Sequence, residues 1–193
     1  MANARPRKSA PIKRLFDLVA AVGGLVVLSP VLLATAIMVR LRLGSPILFR
    51  QVRPGLNGQP FEMIKFRTML DATDHAGSPL PDADRLTPFG RLLRATSLDE
   101  LPELWNVVKG EMSLVGPRPP LPEEVALYKP WHHQRLAVVG GMTGLWQVSG
   151  RSDLSFDELC LLDIVYIENW TLGSDVRILL QTIPHLLSRK GAY

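Results

Sequence analysis

The 193-residue sequence predicts a mainly helical α+β protein, in which an N-terminal membrane hairpin of two helices precedes a compact cytoplasmic domain with a small sheet. An uncharged apolar run from Leu18 to Val39 is interrupted at Ser29-Pro30. Two short strand-like runs later in the chain flank a turn, and most of the remaining sequence has helical spacing. We expect a basic tail over residues 1–12, a re-entrant hairpin over 13–43 and the cytoplasmic domain over 44–193.

The apolar run is long enough to cross a bilayer, since a helix of 22 residues measures about 33 Å. Pro30 removes one backbone hydrogen bond and kinks the helix, while the hydroxyl of Ser29 can satisfy a freed carbonyl in lipid. Positively charged flanks favour the cytoplasmic face, and this run is basic on both sides. The flanks therefore favour a hairpin that enters and leaves on one side, and a single crossing with a tolerated proline is the alternative. The flanking cations are Arg5, Arg7, Lys8, Lys13 and Arg14 before the run, and Arg40, Arg42, Arg50 and Arg53 after it.

The formal charge of +4 is unevenly distributed, because residues 1–58 hold 9 of the 22 Lys and Arg residues and only one acid, Asp17. This basic segment suggests contact with anionic lipid headgroups. No DNA-binding or RNA-binding module signature is present, so nucleic acid is not expected as a partner. The single cysteine, Cys160, permits no intrachain disulfide, fits a reducing compartment and is expected to be a buried thiol.

The elements of the first half of the domain follow from local patterns. Ile47–Val52 and Phe61–Phe66 are predicted strands joined by a turn over Pro54–Gly58. A polar loop follows Leu70. The next predicted helices are Pro88–Arg94 and a helix that starts between Ser97 and Asp99 and runs to about Lys109.

The second half is predicted to be helical between stiff loops. Pro122–Tyr128 and Trp131–Leu136 have helical character. Ser155 and Glu158 form a capping-box pattern that opens an amphipathic helix to about Trp170. A last helix is expected over Asp175–Ser188.

Two adjacent acids, Asp99 and Glu100, lie at a predicted helix start. Capping explains them structurally, either as a box between Ser97 and Glu100 or with Asp99 as the N-cap. Alternatively, the helix N-terminus binds a phosphate, and Asp99 attacks phosphorus to give an acyl phosphate. Both carboxylates are also suitable ligands for Mg²⁺, which prefers oxygen ligands and substrate phosphates.

Several polar side chains support the phosphate interpretation. Lys65 and Arg67 lie at the end of the second strand. Arg94 precedes the acidic pair, and Arg118 is held stiffly between two prolines. Each cation taken singly is also explained as a solvated surface charge. Gln147 and Arg151 are candidate ligand contacts in the segment 144–151, for which a tight loop around a buried tryptophan is the alternative. The four histidines show no metal-ligand spacing.

Taken in order, these segments resemble the bacterial sugar transferases that begin glycan assembly on polyprenyl phosphate, the monotopic phosphoglycosyltransferases of the small type that consists of the catalytic core. The resemblance covers nearly the whole chain after residue 12 and is specific, because several long motifs occur in the right order. One departure is Gly140, where the family usually has proline. The matching stretches are KRLFD from Lys13, the hairpin with Ser29-Pro30, KFRTM from Lys65, LTPFGRLLRATSLDELPELWNVVKGEMSLVGPRPPLPEEV from Leu86, GMTGLWQVSGR from Gly141 and the helix around Asp163 and Tyr166 to Trp170.

The resemblance implies a chemical role for the acidic pair. Asp99 would be the nucleophile that attacks the β-phosphate of a UDP-sugar and releases UMP, and Glu100 its partner acid, which holds Mg²⁺ or deprotonates the acceptor. Polyprenyl phosphate, such as undecaprenyl phosphate, would then take the phosphosugar as the first membrane step of bacterial glycan assembly. The basic residues implied are Lys65, Arg94 and Arg118.

The resemblance also implies a place in the cell. A re-entrant hairpin broken at Ser29-Pro30 would hold the enzyme in membrane lipid, on the cytoplasmic face of the bacterial inner membrane. It leaves a homodimer open. Two rival functions are a membrane-anchored binding module without turnover and a glycosyltransferase that moves the sugar and releases UDP.

Overall fold

Two helices that meet at a sharp bend begin the described part of the chain, which covers residues 11–74, 77–78, 80–149 and 154–188 in the computed structural model. Helix α1 spans Pro11–Val27 and helix α2 spans Ser29–Leu43. The two axes are bent by 63°. Pro30 cannot donate to the carbonyl of Val26, four residues back, and the Ser29 hydroxyl donates to that oxygen at 2.8 Å instead. The predicted break is confirmed, together with the way in which its freed carbonyl is satisfied.

The hairpin surface is apolar over most of its length. Among the described residues, no single helix has both the length and the apolarity to cross a bilayer, whereas α1 and α2 together meet both criteria. Their exposed apolar side chains include Leu15, Val19, Val26, Val27, Leu33, Ile37 and Leu41. By length and composition, the bent pair is compatible with both the predicted re-entrant hairpin and the alternative of a bent crossing.

Strands β1 (Leu48–Pro54) and β2 (Pro60–Phe66) form an antiparallel pair in which Leu48 lies opposite Phe66. This confirms the predicted strands and their turn, in which Asn57 has a φ of 54°. A second pair is parallel and was not separately predicted. Its strands are β3 (Ser113–Val115) and β4 (Gly141–Thr143).

The helices of the domain surround these strands and make the fold mainly helical, as predicted. Thr87 caps the helix that begins at Pro88 through its side-chain oxygen, and Ser155 and Glu158 form the predicted capping box of a later helix. Cys160 is buried, also as predicted. The helices are α3 (Asp82–Arg85), α4 (Pro88–Ala95), α5 (Glu103–Lys109), α6 (Pro122–Ala126), α7 (Leu145–Val148), α8 (Phe156–Glu168) and α9 (Leu172–Ser188).

Several predicted helix boundaries differ from the structure, and α9 begins at Leu172, three residues before the predicted Asp175. The helix expected from Ser97–Asp99 begins only at Glu103, because Pro102 is its N-cap and a separate 3₁₀ turn covers Leu98–Glu100. The Trp131–Leu136 segment is helical as predicted, with the helix of the 3₁₀ type and one residue later, over His132–Ala137. Helix α6 ends at Ala126 instead of Tyr128.

One face of the first turns of α1 is buried in the domain. Lys13 Nζ lies 2.6 Å from Asp175 Oδ2 on α9, and Asp17 accepts a hydrogen bond from the hydroxyl of Ser113 at 2.8 Å. Arg14 donates to the carbonyl oxygens of Val107 and Val108 at the end of α5. Cations suit a helix C-terminus, so Arg14 joins the base of the hairpin to the helix that follows the acidic pair.

Candidate active site

A cleft of about 770 Å³ opens where the end of β2, the 3₁₀ turn Leu98–Glu100 and the loop around Arg118 meet. It contains six of the residues that sequence analysis singled out, whereas the seventh, Arg151, lies outside the described residues. Positions far apart in sequence are therefore brought to one site. The six lining residues are Lys65, Arg94, Asp99, Glu100, Arg118 and Gln147.

Asp99 lies in the 3₁₀ turn and is 8% exposed. Neither capping interpretation is correct, since Pro102 is the N-cap of α5 and the side chain of Ser97 makes no capping hydrogen bond. In the described ranges, no side chain donates a hydrogen bond to the Asp99 carboxylate. Burial and the neighbouring charge of Glu100 raise the pKa of Asp99, against the opposing charges of Lys65 and Arg94.

Glu100 is the centre of a cluster of four charged side chains. Its Oε1 lies 2.7 Å from Lys65 Nζ and 3.4 Å from Arg118 Nη1. Burial alone would raise the pKa of Glu100, but the charges of Arg118 and Lys65 outweigh burial and hold that pKa well below its usual range. Glu100 therefore stays ionised.

Glu103 is the fourth member and was missed by sequence analysis. Its Oε1 lies 3.0 Å from Lys65 Nζ, close enough for an ion pair but not aligned as a hydrogen bond. The residue is 2% exposed, and burial raises the pKa of its carboxyl despite Lys65. In the sequence, the only indication of this contact is that Glu103 follows Glu100 by three residues and so lies on the same side of the chain.

The loop that carries Arg118 is held by its neighbours. The carbonyl oxygen of Pro119 accepts from Arg53 Nη1 at 3.1 Å, and the amide of Gly141 donates to Pro117 O at 2.8 Å. A Cβ at Gly140 would lie 2.7 Å from Pro119 Cγ, so this packing requires glycine there. The departure from the family pattern at residue 140 is therefore matched by a close approach of the two segments.

The cleft also contains Arg53 and Arg85, which were not predicted as site residues, and Arg67, which the sequence analysis named beside Lys65. Alternate residues of β1 line the cleft, namely Phe49, Gln51 and Arg53. The two-residue period of a strand is therefore the sequence signal that could have identified Arg53 as a cleft residue. Arg67 and Arg85 line the other side. Arg85 follows the polar loop, and no pattern in the sequence distinguishes it from a surface cation.

Helix α4 reaches the cleft through an unusually close contact. A Cβ on Gly90 would lie 1.9 Å from the carbonyl oxygen of Thr68, so only glycine allows α4 to approach the segment after β2 this closely. One turn later, Arg94 Nε donates to Thr68 Oγ1 at 3.1 Å. This contact fixes Arg94 at the cleft, near Asp99.

The arrangement is suited to a reaction at a phosphate group. Asp99 offers a carboxylate with no competing side-chain donor, and Lys65, Arg94 and Arg118 provide positive charge around it. Within the described residues, no group of three or more His, Cys, Asp or Glu side chains is placed to hold a metal ion.

Comparisons with known proteins identify relatives over nearly the full chain. The sequence model of the bacterial sugar transferase family matches residues 8–189. An uncharacterized sugar transferase of Bacillus subtilis, EpsL, is 48% identical over 180 residues, or 93% of this chain and 89% of that protein.

Two further relatives have names that state a substrate. A UDP-glucose:undecaprenyl-phosphate glucose-1-phosphate transferase of Caulobacter vibrioides is 43% identical over 94% of this chain and 72% of that protein. A UDP-galactose-lipid carrier transferase of Erwinia amylovora is 41% identical over 99% of this chain, which spans only 43% of that protein.

Proposed function

Because the chain belongs to the bacterial sugar transferase family, we propose that it transfers a sugar-1-phosphate from a UDP-sugar to undecaprenyl phosphate or another polyprenyl phosphate. The observation that carries this proposal is the carboxylate of Asp99. It is held in a cleft beside Lys65, Arg94 and Arg118, without a hydrogen bond from any described side chain. The relatives' names supply the donor and acceptor classes.

In the first half-reaction, a carboxylate oxygen of Asp99 attacks the β-phosphorus of the UDP-sugar. A bond forms between that oxygen and phosphorus, the phosphoanhydride bond to the α-phosphate breaks, and UMP leaves with the bridging oxygen. Lys65 and Arg118 are placed to offset the charge that develops on the phosphate oxygens. The product is an aspartyl phosphosugar.

In the second half-reaction, a phosphate oxygen of the polyprenyl phosphate attacks the same phosphorus. The bond to Asp99 breaks, which restores the carboxylate and yields a polyprenyl diphosphate sugar. Arg94, held by Thr68, is placed to bind phosphate oxygens in either step. Glu100 is already paired with Lys65 and Arg118, which favours a role in positioning these cations and the metal over proton abstraction.

Asp99 and Glu100 fit a magnesium ion that arrives with the diphosphate. The Asp99 carboxylate has no side-chain donor in the described structure, and Mg²⁺ is commonly bound by one or two carboxylates plus substrate phosphates. When bound, the ion would neutralise charge on the diphosphate.

We also propose that α1 and α2 enter and leave the membrane on its cytoplasmic face, which makes the protein monotopic. Ala10→Cys and Ser45→Cys, each in a Cys160→Ala background, place a thiol on either side of the hairpin. Both thiols should react with an impermeant maleimide in inverted vesicles, whose cytoplasmic face is outside. Neither should react in right-side-out vesicles. Labelling of the two thiols from opposite sides would show a single crossing.

The reaction is tested by measuring nucleotide release from a panel of UDP-sugars, with detergent-solubilised protein, undecaprenyl phosphate and Mg²⁺. We expect UMP from one or a few sugars. Asp99→Asn, which is nearly isosteric, should lower the rate by at least about 10³-fold, because the nucleophile is lost.

The other outcomes are equally informative. UDP in place of UMP would mean that the sugar alone is transferred. If neither the wild-type protein nor Asp99→Asn releases a nucleotide from any UDP-sugar, the result would favour an anchored binding module.

A further inference from the structure

The outer edge of β2 is closed by a single side chain of α5. Asn106 is 0% exposed, and its Oδ1 accepts from the backbone N–H of Ile64 at 3.1 Å. Its Nδ2 donates to the backbone oxygen of Glu62 at 2.7 Å and to the Glu111 carboxylate at 2.7 Å. The amide therefore contacts β2 as a neighbouring strand would, since β1 pairs only with the other edge.

This contact lies directly beside the charged cluster of the cleft. Lys65 follows Ile64 in β2, and its Nζ lies 2.7 Å from Glu100 and 3.0 Å from Glu103. Glu100, Glu103 and Asn106 are spaced three residues apart along the 3₁₀ turn and α5, and all three face β2. The two acids hold the side chain of Lys65, while Asn106 holds the backbone on which Lys65 is carried.

We propose that Asn106 is a positioning residue, which sets the register between β2 and α5 and thereby places Lys65 beside Asp99 for phosphosugar transfer. The proposal rests on the proposed function. Asn106 does not line the cleft, so it acts through Lys65 and not on the substrate.

An amide is the side chain that this position requires. Alanine would leave the Ile64 N–H and the Glu62 carbonyl buried without partners, which loosens the contact between strand and helix. A shift of about 1 Å at a group that positions substrate lowers a rate about 100-fold. Asn106→Ala should therefore affect the reaction more than the affinity for the donor.

The test compares Asn106→Ala with Ile178→Ala, a core substitution in α9 that is distant from β2 and also destabilises. UMP release is measured as kcat and KM per folded molecule, with the folded fraction taken from thermal unfolding. We expect kcat of Asn106→Ala to fall about 10- to 100-fold with a KM within about threefold of wild type. Ile178→Ala should retain wild-type kcat.

A second measurement does not depend on turnover. The rate at which an N-hydroxysuccinimide ester acylates Lys65, followed by mass spectrometry, reports how firmly the ammonium is held between its acids. We expect about a tenfold faster reaction in Asn106→Ala and no change in Ile178→Ala. A variant Glu111→Gln keeps an acceptor oxygen for Asn106 and should behave as wild type in both measurements.

The outcomes separate the two proposals. Unchanged Lys65 acylation, or an unchanged kcat in Asn106→Ala, would overturn the positioning role. An equal loss of kcat in Ile178→Ala would assign the effect to a general loosening of the core and would also overturn it. Absence of UMP from the wild-type enzyme would refute the proposed function, whereas the acylation rates would still decide whether Asn106 positions Lys65.

Discussion

The charged groups around the cleft are of two kinds. Three of the four members of the charged cluster, namely Lys65, Glu100 and Glu103, form its buried part, called the buried cluster below. Their side chains are 13%, 24% and 3% exposed. The loop pairs, Arg67–Asp71 and Arg85–Asp82, have carboxylates that are each 71% exposed. Low exposure strengthens the attraction between the buried charges and makes their separation costly, whereas the exposed carboxylates are solvated when released.

This difference indicates which part of the site is preformed and which can exchange partners. The buried cluster keeps one geometry. The Nε atoms of Arg67 and Arg85 are buried without a hydrogen-bond partner within the described structure, so each arginine retains a donor beyond its loop pair. Because both carboxylates are largely solvated, Asp71 or Asp82 can be released from its arginine at small cost.

The largest effect is expected from Lys65→Met, which breaks the buried cluster. Removing one partner of a buried ion pair costs about 3–5 kcal/mol, because the remaining charges are left uncompensated. Denaturant unfolding in detergent measures this loss. Lys129→Met is the control, since Lys129 and Asp157 are 56% and 50% exposed and an ion pair this exposed contributes little to stability. Equal losses in the two variants would remove the distinction between buried and exposed pairs.

A smaller loss of stability is expected from Gly90→Ala, on the side of the loop pairs. The added Cβ would lie 1.9 Å from the Thr68 carbonyl oxygen, and overpacking of this kind costs about 1–3 kcal/mol. Arg94 should move with α4, so UMP release should fall as well. Gly173→Ala is the matched control, because its Cβ meets no atom closer than 3.8 Å. A Gly90→Ala enzyme with wild-type stability would show that α4 can move without cost.

The pH dependence of stability provides a third test of the buried cluster. The pKa of Glu103 is raised from an ordinary value of 4.5 to about 7, so the folded protein keeps a proton that the unfolded chain has lost. The stability that Glu103 contributes is therefore fully present below its ordinary pKa of 4.5 and is lost as the pH rises to about 7.

The measurement is the unfolding midpoint of wild type and Glu103→Gln between pH 4.5 and 8. Glutamine does not ionise, so the variant should lose less stability than wild type across this range. Parallel profiles would mean that Glu103 is ionised throughout and belongs with the exposed carboxylates.

The smallest effect is expected from Asp71→Asn in the loop pairs. Its stability should remain within about 0.5 kcal/mol of wild type, because an exposed ion pair contributes little. The KM for the UDP-sugar should stay equal or decrease, since Arg67 is freed for the phosphate. A loss above about 1 kcal/mol, or a higher KM, would show that Asp71 is a fixed part of the site.

Local signals predicted the elements that depend on neighbouring residues. The Ser29-Pro30 break, the capping box at Ser155 and Glu158, and the turn between β1 and β2 each follow from a few adjacent side chains. The parallel pair β3 and β4 could not be predicted in this way, because each strand has three residues. Such strands are too short to show a period and pair across 25 intervening residues.

The site was predictable where chemistry distinguishes a residue, and unpredictable where only packing does. The cleft contains Asp99, Glu100 and Arg118 together, as their motif-like settings suggested. Glu103 and Asn106 looked like ordinary residues of an amphipathic helix. Their roles depend on the distance between α5 and β2, which no local pattern encodes.

The buried base of α1 also constrains the order in which the chain can acquire its native contacts. Arg14 contacts residues 93 and 94 positions later, and Lys13 contacts Asp175, 162 positions later. At a synthesis rate of 5–20 residues per second, Asp175 is added roughly 8 to 30 s after Lys13. Throughout that interval the first helix carries charges that it cannot bury. The earliest segment made is thus among the last to be locked, and a nascent chain that stops before α9 leaves Lys13 without the carboxylate of Asp175.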